Sequence, residues 1–107
     1  MINPEDIFFE VETPLKFSVR VTKQYWQLIT TQKHRILRDE KNGIIQTLES
    51  PDQIRRSRTD KNVYLFYRLI GSNKWLCAVT KRLNGQGFMI TAYVTDAIKK
   101  GEIIWNK

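Results

Sequence analysis

Proton transfer near neutral pH needs a side chain whose ordinary pKa lies there, and the chain has one histidine, His34, between Lys33 and Arg35. The flanking cations depress its pKa and favour the neutral form, which can act as a base. A base set among cations suits metal-independent RNA cleavage. The 2′-hydroxyl must lose a proton, the charge developing on the phosphate must be held, and the leaving oxygen must gain a proton. A surface histidine at a helix end has the same sequence signature.

Other residues suit the phosphate. Arg55-Arg56-Ser57-Arg58 places three arginines in four residues, enough to clamp a phosphate through paired N–H donors. Lys81-Arg82 sits at a strand end before a turn, a position that serves phosphate contact or edge protection equally well. Thr91 and Tyr93 fall on one side of an alternating run and can offer hydroxyls. Gly85-x-Gly87 is a hairpin turn, since neither a Walker lysine nor a helix follows it. With one Cys and one His the usual zinc sites are excluded, and no carboxylate spacing suggests magnesium. No metal or other cofactor is expected. Cys77, inside WLCAV, reads as a buried inert thiol with no partner for an internal disulfide.

Charge points the same way. The 107 residues carry a formal +7. Residues 1–14 contribute −4, which leaves a body of +11. A basic body on a small domain suits a polyanionic partner, most often nucleic acid and less often an anionic membrane surface, although such a charge also serves solubility. The length predicts one domain over 1–107, too short for a dinucleotide-binding fold or a β/α barrel. No signal peptide and no apolar run long enough to span a bilayer are evident, so no membrane association and a cytoplasmic location are expected.

The elements that must position these residues follow from periodicity. Ile7–Val11 and Leu15–Val21 read as strands that form a hairpin across Pro14. Thr22 caps a helix to about Thr30, with either Tyr25, Leu28 and Ile29 or Trp26 and Ile29 as its apolar stripe. A second helix over Asp39–Glu49 buries Ile44, Ile45 and Leu48, and Ser50-Pro51 ends it. Gln53–Ser57, Asn62–Ile70, Lys74–Lys81 and Phe88–Val94 follow as a meander with glycine-containing turns. Asp96–Lys100 is predicted to be a short helix closed by Gly101, with Ile103–Trp105 as a further edge strand or a packed tail. The expected fold is α+β: an N-terminal hairpin and two helices on one face of a roughly four-stranded antiparallel sheet, with a short C-terminal helix.

The strand faces carry the rest of the sequence argument. Phe88, Ile90, Ala92 and Val94 make one wholly apolar face, predicted to meet the helices. The opposite side of the sheet mixes aromatic and basic residues, a composition that suits stacked bases and paired phosphates of a single strand. A sheet covered on both sides fits the pattern equally.

The segments QTLESPDQIRRSRTDKNVYLFYRL and WLCAVTKRLNGQGFMITAYVTDAIKKGEIIW, preceded by Lys33-His34, resemble small bacterial and phage-associated proteins of the barnase–EndoU–colicin–RelE-like nuclease superfamily. The resemblance covers about residues 24–105, and TLESPDQIRRS and GFMITAYVTDAIKKGE are its most specific pieces. It implies helices on a four-stranded antiparallel sheet and metal-independent RNA cleavage, often by a toxin held by a cognate antitoxin. It also implies His34 as acid/base, Arg55 or Arg56 with Ser57 on the first strand, Lys81 stabilising the phosphate and Thr91 orienting it. Tyr67 and Tyr93 become candidates for stacking or proton transfer. Lys33, Arg35, Arg56, Arg58 and Arg82 complete the expected nucleic-acid contacts. Two other classes compete: a nucleic-acid-binding module without catalysis, and a basic domain regulated by an acidic protein or by self-association as a homodimer.

Overall fold

The computed structural model describes residues 6–33 and 40–107. Strand β1 (Ile7–Glu12) turns through Thr13–Phe17 and pairs antiparallel with β2 (Ser18–Thr22). Thr22 then caps α1 (Lys23–Leu28): its hydroxyl accepts the Tyr25 N–H. The helix continues as a π-helical turn over Ile29–Lys33. Trp26 and Ile29 form its buried side, while Leu28 is exposed. After the segment containing His34, Arg35 and Asp39, which lies outside the described residues, α2 (Lys41–Glu49) buries Ile44, Thr47 and Leu48. Gly43, unusual inside a helix, gives its carbonyl to Arg68, whose Nε also donates to Thr47 at 3.1 Å.

The remaining strands are β3 (Gln53–Arg56), β4 (Val63–Gly71), β5 (Lys74–Leu83), β6 (Gln86–Thr95) and β7 (Glu102–Asn106). Asn84-Gly85 joins β5 to β6 with positive φ at both residues, the geometry that fits the twist of a two-residue hairpin.

The expected two-helix, four-stranded antiparallel fold is corrected here. The described residues form one mixed sheet of seven strands in the order β1-β2-β6-β5-β4-β3-β7, with two short helices. The meander is extended on both sides. Strand β2 joins β6 in parallel through Val19–Gly87 and Arg20–Phe88, and β7 joins β3 antiparallel. The parallel junction needs Gly87, because a Cβ there would stand 2.7 Å from the Phe17 ring. The short C-terminal helix does not form. Thr95 makes a local turn, with its hydroxyl bonding both the N–H and the carbonyl of Ala97, and Gly101 follows too soon for a helical nucleus to propagate.

The apolar face predicted for β6 is also corrected. The register shifts between Val79 and Thr80, which inserts a bulge at Ile90. Met89 and Ala92 therefore enter the core and Phe88 is left 42% exposed. The Tyr25 hydroxyl donates to the Ile90 carbonyl and so occupies a backbone acceptor at the bulge. The main core lies between the helices and this first face of the sheet, with Tyr64, Phe66, Leu76 and Ala78 at its centre.

Candidate nucleic-acid interface

The second face of the sheet is built from two cross-strand rows. Arg55, Leu65, Val79 and Thr91 stand side by side across β3 to β6, and so do Gln53, Tyr67, Cys77 and Tyr93. The strand order dictates what covers them. Strand β6 ends near the middle of the sheet, whereas β7 lies beyond β3 at the edge. Residues 96–101 must cross β5, β4 and β3, and they do so as a strap over the second face. Ile98 packs on the cluster of Leu65, Tyr67 and Cys77.

Two hydrogen bonds fix the strap. The Lys99 N–H donates to the buried Tyr67 hydroxyl at 3.1 Å, and Arg55 Nη1 donates to the Gly101 carbonyl at 3.3 Å. Gly101 packs so closely on the Arg56 carbonyl that a Cβ has no room. The strap thereby holds Lys99 and Lys100 beside an open cleft of about 360 Å³. The floor of the cleft is Val63, Leu65, Val79, Thr91 and Tyr93, and the opposite wall is Ser57, Arg58 and Thr59. Its lining holds three cationic side chains and no carboxylate. Ser57 is fixed by its N–H, which donates to the Val63 carbonyl at 2.9 Å, and by its Oγ, which accepts from the Thr59 N–H at 3.2 Å. Thr91 Oγ1 is buried and makes no hydrogen bond among the described residues.

The titratable groups at this site are held protonated. Burial pushes the Tyr93 hydroxyl well above the usual phenol range, and the Cys77 thiol and Tyr67 next to it add to the effect. Burial likewise raises Tyr67, followed by its interaction with Cys77. Cys77 is pushed up to about 11, mainly by burial. These three groups therefore act near neutrality as neutral donors and not as bases. The Lys99 ammonium lies 5.5 Å from the centre of the Tyr93 ring.

The structure brings Ser57, Arg58, Thr91 and Tyr93 together from the expected set. It separates others. Arg56 and Arg82 belong to the first face: Arg56 lies over the Tyr64 ring and 3.7 Å from Glu102, and Arg82 lies over the Phe17 ring. Arg55 is spent on Gln53 and Gly101. Tyr67 is fully buried beneath the strap, so its ring cannot stack on a ligand. Lys81 pairs in register with Val63 but is 3.2 Å from Asp60. The Asn62 N–H, then Lys81, hold the Asp60 carboxyl below its usual range. His34 and Arg35 lie outside the described residues, as does the side chain of Lys33. Lys99 and Lys100 escaped the sequence reading because a helix was expected there. The one available signal was a pair of lysines directly before a glycine and a terminal strand.

No protein-family model, curated protein or solved structure matches this chain. The nuclease resemblance accordingly stands on the quoted sequence segments. No helix among the described residues is long and apolar enough to cross a membrane.

Proposed function

We propose that the chain binds RNA through the second-face cleft and cleaves it without a metal ion. The observation that carries this reading is the carboxylate-free cleft in which Arg58, Lys99 and Lys100 surround Thr91 and Tyr93. Three cations suit a phosphate whose negative charge grows during reaction. The Tyr93 ring lines the cleft, and its neutral hydroxyl is buried beside Tyr67 and Cys77, which holds the ring under the cations; the departing 5′-oxygen takes its proton from solvent water. His34 is the base that the sequence offers for the 2′-hydroxyl; the described elements on either side of it, the π-helical turn and α2, pack on the first face, so its part in cleavage is tested apart from binding in the cleft. Attack of that oxygen on phosphorus breaks the bond to the 5′-oxygen and leaves a 2′,3′-cyclic phosphate and a 5′-hydroxyl. The resemblance to toxin-type nucleases adds a cognate antitoxin as the partner, and a cytoplasmic location goes with an RNA substrate.

The test is incubation of wild type, His34→Ala and Lys99→Ala/Lys100→Ala with mixed RNA in the presence of EDTA, followed by analysis of the fragment ends. Cyclic phosphate ends from wild type, lost in His34→Ala, are expected. Equal cleavage by wild type and His34→Ala would assign the activity to another group or a contaminant. A second reading, binding without cleavage, is favoured by the raised pKa of Tyr67, Cys77 and Tyr93, which leaves the described cleft without a neutral-pH base. RNA bound in a salt-dependent manner and recovered intact would establish that reading instead.

A further inference from the structure

The cleft is more than a basic patch. Its floor is apolar, made by Val63, Leu65, Val79 and the side of Tyr93, while its cations stand on the rim. A phosphate alone has no use for an apolar floor, and a lone base has no use for three cations. A nucleotide has both parts. The volume of about 360 Å³ lies at the small end of ligand pockets and matches one nucleotide rather than a base pair. Thr91 lines the floor, and its Oγ1, closed to solvent and without a hydrogen bond among the described residues, reaches a polar edge of an entering group by rotation about χ1.

We infer that the cleft seats one unpaired nucleotide. The base lies on Val63, Leu65 and Val79 with its edge toward Thr91, and the phosphate meets Lys99, Lys100 and Arg58. This rests on the RNA-binding reading above and deepens it: the substrate is single-stranded, because a paired base cannot leave its partner to reach the floor without unpairing.

The test uses the full chain with 2′-O-methyl oligonucleotides, which cannot be cleaved through their own 2′-oxygen. The same sequence is offered as a single strand, as a duplex and as an abasic strand that keeps every phosphate. Binding is followed by fluorescence anisotropy at fixed salt. The single strand is expected to bind about tenfold or more tighter than either alternative, the range expected when one base finds an apolar seat. Thr91→Val, a near-isosteric change, should reduce the single-strand advantage without changing abasic-strand affinity. Duplex or abasic strand bound as tightly as the single strand would overturn the nucleotide seat and leave the phosphate-binding reading intact. Failure of all three to bind at low salt would overturn both.

Discussion

Tyr67→Phe isolates the anchor of the strap. The substitution deletes one oxygen and leaves the buried ring on Leu65 and Cys77, so packing changes little. Lost with that oxygen is the acceptor for the Lys99 N–H, 3.1 Å away, and the interactions with Tyr93 and Cys77. A buried group left without its partner costs about 1–3 kcal/mol. Lys99 is exposed, so its N–H can turn to water if the strap lifts, which puts the cost toward the lower end, about 1–2 kcal/mol. That is a factor of roughly 5–30 in the local opening equilibrium. Hydrogen exchange at the Lys99 amide reads this directly, and urea unfolding reads any global share. The expected result is faster exchange at Lys99 by that factor, with weaker RNA binding because both lysines lose their fixed position. Unchanged exchange at Lys99, with wild-type affinity for RNA, would refute the anchoring role.

Further outcomes follow from the same geometry. The paired substitution of Lys99 and Lys100 by alanine should flatten the dependence of log K on log salt by about 1.4 for a single strand, taking about 0.7 per phosphate contact; titrations between low and moderate salt measure it. Stability should fall as pH rises above about 9. The Cys77 thiol loses its proton at its ordinary value of 9.0 when unfolded but only at about 11 when folded, so above pH 9 the unfolded state gains the advantage. Tyr67 and Tyr93 add to that loss because their folded values are also raised. Urea unfolding of wild type and Cys77→Ala across pH 7 to about 10.5 should show a shallower alkaline decline in the variant. Gly87→Ala forces a methyl group to within 2.7 Å of the Phe17 ring and should destabilise the chain by about 1–3 kcal/mol, read as a lower urea midpoint at unchanged slope.

What could be read from the sequence was local. Thr22 as a helix cap, the Asn84-Gly85 turn and the strands of the meander rest on the chemistry of neighbouring residues, and periodicity reveals them. The same holds for Thr91 and Tyr93 sharing a face, since the Ile90 bulge lies before both. What only the tertiary structure decided was non-local. The parallel junction of β2 with β6 unites segments some 70 residues apart and turns a hairpin plus a meander into one seven-stranded sheet. The bulge reverses the faces of Phe88 and Met89, because a single extra residue shifts an alternation of period two. Above all, the strand order sends residues 96–101 across the second face, and this crossing makes the cleft: it buries Tyr67 and brings Lys99 and Lys100 opposite Ser57 and Arg58. The sequence determined the charge and the side-chain chemistry. The order of strands, set by pairing between distant segments, determined which of those side chains meet.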